Sequence, residues 1–267
     1  MACAYRTRRG FTLVQLTGVI VGVGVLLVIA AVILPAFNRG GGMGRAQLLR
    51  ESVQLSHMFS AYAVYADDHN GTFPLPSMIR RQPVMVEGTS LWVDGRGEPD
   101  VTQNTTARLH SAMVMDDYYT ADLLISHAEV SKRVVEKVDY NYECYAPVEG
   151  RFWDDTLACD LATESHVSFA NLVLRDPALT KAWCKTRGSD HALLSTRGPR
   201  DGDVDTSSIT NEFHRPHDEW VGNIVYSDGR TEVDGRYEKM RQLFAPSDAQ
   251  LGITTAMSED GATLSWD

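Results

Sequence analysis

From Phe11 to Phe37 the chain is almost wholly apolar, and no charged residue stands between Gly10 and Arg39. Twenty-seven residues in a helix span roughly 40 Å, more than a ~30 Å hydrocarbon core. A single segment in lipid must satisfy its own backbone groups, so a transmembrane helix is predicted over 11–37. Gly40, Gly41, Gly42 and Gly44 follow. Each glycine weakens helix by about 1 kcal/mol relative to alanine, so residues 38–45 read as a joint. Helical spacing resumes near Ala46: Leu48, Leu55, Phe59, Tyr62 and Ala66 fall on one stripe, with Leu49, Val53 and Ala63 beside it. Asp67-Asp68-His69-Asn70-Gly71 ends that helix, with Gly71 at the position after the cap and Pro74 beyond.

The remainder is more polar. Residues 75–110 carry several Gly and Pro and read as surface loop. Alternation predicts strands at Asp139–Cys144-Tyr145, His166–Leu174 and His191–Ser195. The strongest hairpin signal is Glu219–Tyr226, then Ser227-Asp228-Gly229-Arg230, then Thr231-Glu232-Val233, with Asp228-Gly229 as a two-residue turn.

Charge sets the direction of the apolar segment. Arg6, Arg8 and Arg9 precede it and no acid does, which favours a cytoplasmic N-terminus and an extracytoplasmic domain over 46–267. The whole chain carries 25 basic and 35 acidic residues, a net −10; without residues 1–10 it carries −13. Such a surface repels nucleic acid, and no basic run is interleaved with aromatics, so no nucleic-acid partner is expected. Cys3, Cys144, Cys159 and Cys184 form no C-x-x-C pair. The last three share the extracytoplasmic side, where one disulfide or three unpaired thiols are equally compatible with the spacing.

A cleavable secretory signal, with Ala30-Ala31 or Ala36 near its end, and a plain signal anchor both account for hydrophobicity and charge. The junction Arg8-Arg9-Gly10-Phe11-Thr12-Leu13-Val14-Gln15-Leu16 is more specific. It resembles the prepilin signature of type IV pilins and type II secretion pseudopilins. The resemblance implies that a membrane prepilin peptidase cuts between Gly10 and Phe11 and methylates the new amine, with Arg8, Arg9, Gly10 and Phe11 as processing residues. A glycine suits a cleft that grips extended backbone. The family has glutamate at the fifth mature position, thought to pair with the N-terminal amine of a neighbouring subunit; this chain has Gln15, which supplies a dipole and no charge. Pro35 resembles the late membrane proline at which pilin helices kink. The stretch Tyr62–Pro74 is similar to a Tyr-Ala-x-Asp-x-x-Gly-x-Phe-Pro type element closing the first helix of some pilin-like proteins. His214 and His217 ahead of Asp228-Gly229 resemble a His-x9-Asp-Gly element, though His217 stands one residue too far away.

The resemblance implies an α+β, pilin-like fold: a long N-terminal transmembrane helix continues into an ectodomain helix packed on an antiparallel sheet. The implied function is structural, that of a minor subunit of a pilus-like or pseudopilus-like assembly. Its partners would be the prepilin peptidase, other pilin-like subunits and the inner membrane, with the domain periplasmic or surface-exposed. The alternative is a membrane-anchored binding or enzymatic domain that never polymerises.

Other chemistry is sparse. Asp201, Asp203 and Asp205 place three carboxylates at alternate positions, a candidate Ca²⁺ set whose alternative is a solvated acidic loop. Glu212 stands twelfth from Asp201, but the sixth position is Thr206 where an EF-hand needs glycine. Ser189-Asp190-His191 are sequence neighbours, whereas triads converge in space, and no Gly-x-Ser-x-Gly elbow occurs. No Walker loop, dinucleotide fingerprint or zinc-protease motif is present, so neither enzymatic activity nor a further cofactor is expected.

Overall fold

The computed structural model of the protein describes residues 41–88, 90–160, 163–172, 174, 183–185, 192–198 and 221–234. Helix α1 runs Gly41–Asp68. It is already helical at Gly41, five residues ahead of the apolar periodicity, because backbone hydrogen bonding runs through glycines that offer no side-chain pattern to read. Leu48, Leu55, Met58, Ala61, Tyr62, Tyr65 and Ala66 are buried. Leu49 and Val53, expected beside the buried stripe, lie on the outer flank at 68% and 47% exposure.

The helix ends as its sequence predicts. Asn70 and Gly71 both take positive φ, +54° and +80°, and the Gly71 N–H donates to Ala66 O at 2.8 Å. Phe73 then turns inward and is fully buried. It meets Trp183 edge-on at 5.7 Å between ring centroids, and Tyr62 lies 5.3 Å from the same indole. Trp183 Nε1 donates to Pro74 O at 2.8 Å, so its polar edge is satisfied inside the core.

Residues 75–110 hold more regular structure than a surface loop. They contain α2 (Pro76–Ile79), a ribbon of β1 (Val84–Met85) and β2 (Trp92–Val93), a 3₁₀ turn at Val101–Gln103, and the start of α3 (Thr106–Met115). Thr105 caps α3 by accepting from Arg108 N at 3.2 Å, and Leu109, Ala112 and Met113 give it a buried face. The segment 139–145 is not a strand. Tyr142–Cys144 form a 3₁₀ turn, because side chains take over its backbone groups: Asp154 Oδ2 accepts from Asn141 N, and Asn141 Oδ1 accepts from Glu143 N. The Tyr140 hydroxyl separately anchors the segment by donating to Ser111 O.

Short strands β3 (Cys159–Asp160) and β4 (Glu164–Ser165) pair with each other. The principal sheet is four-stranded and antiparallel, in the order β5 (Phe169–Asn171), β6 (Ala192–Thr196), β7 (Gly222–Tyr226), β8 (Thr231–Asp234). The first of these is shorter than the predicted 166–174. Every residue of β6 and β7 is buried, so these strands are covered on both faces. The β7–β8 connection is a three-residue loop, Ser227–Gly229, in place of the predicted two-residue turn. Gly229 N donates to Tyr226 O, and Tyr226 N donates to Arg230 O, each at 2.9 Å. Gly229 has φ +84°, the left-handed bulge position such loops assign to glycine.

Candidate functional site

The most constrained polar group in the described residues is Glu51, on the inner face of α1 and fully buried. Its Oε1 accepts from Ser126 Oγ at 2.8 Å. Its Oε2 accepts from Thr196 Oγ1 on β6 at 2.5 Å and from Asn223 Nδ2 on β7 at 3.0 Å. The same Asn223 amide donates to Leu48 O at 3.0 Å, and Asn223 N donates to Thr196 Oγ1 at 2.8 Å. One carboxylate therefore joins the helix, the two central strands and the loop at Ser126. Three residues on, Gln54 Nε2 donates to Ile125 O at 2.8 Å, reinforcing the loop contact. A second buried acid works beside it: Glu129 Oε1 accepts from Arg197 at 2.8 Å, with the two side chains 5% and 0% exposed. Burial of charge is tolerated only with such pairing.

Sequence reasoning missed Glu51. The available signal was an acid at the i+3 position from Leu48 and i−4 from Leu55, inside the apolar stripe.

A second polar group lies in the core beside α3. His110 is fully buried, and its Nδ1 shares a 2.8 Å hydrogen bond with the Tyr119 hydroxyl. Its Nε2 is buried without a partner. Desolvation holds its pKa down at about 3, so the ring is neutral at physiological pH. Burial likewise raises the phenol pKa of Tyr62 and Tyr119, and pushes Tyr140 up to about 12. These are groups that hold structure in uncharged form. None is set near neutrality, as a general acid or base would be.

A cavity of about 480 Å³ opens beside α3, lined among others by Arg108, Ser111, Asp154, Asp155, Cys159 and Asp160. Its polar lining is largely spent on the chain itself. Arg108 donates to Thr102 O, Asp155 accepts from Trp153 Nε1, and Asp160 accepts from Thr163 Oγ1. Ser111 donates to the Asp154 carbonyl and lies 3.0 Å from the Tyr140 hydroxyl.

No disulfide joins Cys144, Cys159 and Cys184 to one another. Among the described residues no group of three or more His, Cys, Asp or Glu side chains is placed to hold a metal ion. No described helix is long and apolar enough to cross a membrane. The processing residues Arg8, Arg9, Gly10 and Phe11, the assembly residues Gln15 and Pro35, and the apolar segment 11–37 all lie outside the described residues. So do Asp201, Asp203 and Asp205, Ser189-Asp190-His191, and His214 and His217. Of the His-x9-Asp-Gly-like element, only Asp228-Gly229 is placed, in the β7–β8 loop. There Asp228 Oδ1 accepts from Arg230 N at 3.0 Å, a local turn bond. No protein-family model matches the chain, and neither a curated protein sequence nor a solved structure matches it.

Proposed function

We propose that this chain is a membrane-anchored, extracytoplasmic structural subunit of a type IV pilus-like or type II secretion pseudopilus-like assembly, matured by a prepilin peptidase. The reading is carried by the junction Arg8-Arg9-Gly10-Phe11-Thr12-Leu13-Val14, followed at once by an uncharged run long enough to span a bilayer. A domain helix that closes on Tyr62–Pro74 is consistent with it, since Gly71 and Phe73 there terminate α1 and seal it to the core. Gln15 favours a low-copy or terminal position over the main repeating unit. It equally favours the second reading, an anchored binding or enzymatic domain that never polymerises.

Intact-mass and N-terminal analysis of the native protein test the processing step. The expected mature chain begins at Phe11 with a methylated amine, and Gly10→Val leaves a precursor. A native chain that still begins at Met1 or Ala2 refutes the proposal.

A further inference from the structure

The arm of the chain between Arg81 and Gly97 exposes apolar side chains on both of its faces. Backbone bonds close it at the base, where Gly95 N donates to Arg81 O and Gly97 N to Gln82 O, and near the tip, where Val86 N donates to Leu91 O. Between them Val84 pairs with Val93 and Met85 with Trp92. Opposed residues of an antiparallel pair share a face, so Met85 and Trp92 stand on one face and Val84, Val86 and Leu91 on the other. All five are exposed, Leu91 and Trp92 at 62% each. Apolar exposure this concentrated marks an interaction surface, and with both faces uncovered it calls for a two-sided groove.

The same chain carries such a groove, of about 640 Å³. Its floor is α1, through His57, Ser60 and Val64, and its wall is the segment that follows α3, through Tyr118 and Leu123. Val64 is 56% exposed, and Val53 extends the same helical stripe beyond the groove. No residue of the arm lines it, so the arm does not fill the groove of its own chain.

Charge runs in matching order along arm and groove. Arg80, Arg81 and Arg96 stand at the base of the arm and Glu87 at its tip. Asp94, nearby, is turned towards Gly150. The wall of the groove runs antiparallel to α1: Tyr118 packs on Tyr65, and further along Ile125 O accepts from Gln54. Asp116, Asp117 and Asp68 therefore gather at the C-terminal end of α1, where burial and then the carboxylates of Asp116 and Asp68 raise the Tyr118 phenol pKa. Arg50 stands towards the opposite end. Among the described residues none of Arg50, Arg80, Arg81, Arg96, Asp68 or Asp117 forms an ion pair. The lengths agree as well. At about 3.3 Å per extended residue the arm spans roughly 20 Å from Arg81 to Glu87, and at 1.5 Å per helical residue Arg50 and Val64 stand about 21 Å apart.

We propose that the 81–97 arm of one chain seats in the α1 groove of a second copy. Its apolar side chains lie between α1 and the Tyr118–Leu123 wall, its basal arginines meet Asp68, Asp116 and Asp117, and Glu87 faces Arg50. Arm and groove are different surfaces, so the contact runs head to tail. It lies wholly in the domain and is independent of whether the leader is cut or of the charge missing at Gln15.

Hydrogen exchange on the full chain, in excess detergent micelles, tests this. So small an arm makes a weak contact, read by comparing about 5 µM with about 200 µM protein. Peptides covering 84–93 and 117–123 are both expected to exchange about two- to threefold more slowly at the higher concentration, with 222–226 unchanged as the control of folding. Arg80→Glu with Arg96→Glu is expected to abolish the difference, and so is Asp68→Lys with Asp122→Lys. An equimolar mixture of these two variants is expected to regain it, because each then offers the other a groove and an arm of opposite charge. Equal rates at the two concentrations overturn the proposal. Protection confined to one of the two segments also overturns it, as does a mixture that fails to regain protection.

Discussion

Replacing Gly229 by valine tests the one turn that both the sequence and the structure single out. Its backbone sits at φ +84°, where a side chain costs about 1–3 kcal/mol, with β-branched residues at the upper end. A second cost comes from packing. A Cβ built on Gly229 would stand 2.7 Å from Phe59 Cε1 on α1, closer than real contacts allow. Overpacking of this sort adds roughly 1–3 kcal/mol, less whatever Phe59 recovers by rotating. The combined loss is therefore about 2–5 kcal/mol, read as a lowered urea midpoint at unchanged slope. The two costs separate experimentally. Gly229→Asn tolerates the backbone but keeps the Cβ, whereas Phe59→Ala removes the ring. In the double variant Gly229→Val with Phe59→Ala, the two losses are expected to sum to about 1–2 kcal/mol less than the singles predict. A midpoint for Gly229→Val within error of the parent refutes the reasoning, because neither the left-handed backbone nor the contact with α1 would then be real.

Glu51→Ala leaves Thr196 Oγ1, Asn223 Nδ2 and Ser126 Oγ without the oxygens they donate to, and is expected to cost about 3–5 kcal/mol by urea denaturation; Glu51→Gln, which keeps one acceptor, costs clearly less. For His110 the folded pKa of about 3 lies below the unfolded value of 6.5, so the unfolded chain binds more protons and stability falls as pH drops below 6.5. The loss from this residue amounts to about 3 kcal/mol by pH 4, and His110→Phe should flatten the pH profile across that window. Burial lowers His166 in the same sense, so some slope remains in that variant. If the assembly reading holds, mass spectrometry of sheared filaments finds this chain as a minor component, and Gln15→Glu raises its share; a filament composed mainly of this chain refutes the argument from the absent charge.

What was legible depended on whether the determining chemistry was local. The end of α1 and the β7–β8 loop could be read from Asn70-Gly71 and Asp228-Gly229, because a positive φ is a requirement of one or two residues. The face α1 buries was only partly legible. Met58 and Tyr65 are inside, and Leu49 is outside, because the helix meets the 119–126 loop, through Tyr62–Tyr119, Gln54–Ile125 and Glu51–Ser126, as well as the sheet. Helical period alone gives the centre of an apolar stripe, not its width. Tyr140–Tyr145 deceived because tyrosine and alternation favour a strand only where another strand can pair; here Asp154 and Asn141 supplied the backbone's partners first, and Ser111 O holds the Tyr140 hydroxyl. Val84–Val86 and Leu91–Val93 are triplets, too short for any period to register among the surrounding Arg, Pro and Gly. Glu51 was hidden for a different reason. An acid on a helix is ordinarily solvated, and what makes this one a core residue is the convergence of Ser126, Thr196 and Asn223, which lie 75, 145 and 172 positions further along the chain. The cost of burying that carboxylate is offset only when all these elements are in place. It therefore favours a single arrangement of α1 on β6 and β7 over alternatives slid by one helical turn, which would bury the acid without its partners. A double-mutant cycle between Glu51→Gln and Asn223→Ala measures this directly: a coupling of about 1–3 kcal/mol is expected, and additivity would mean that the buried acid does not fix the register of the helix.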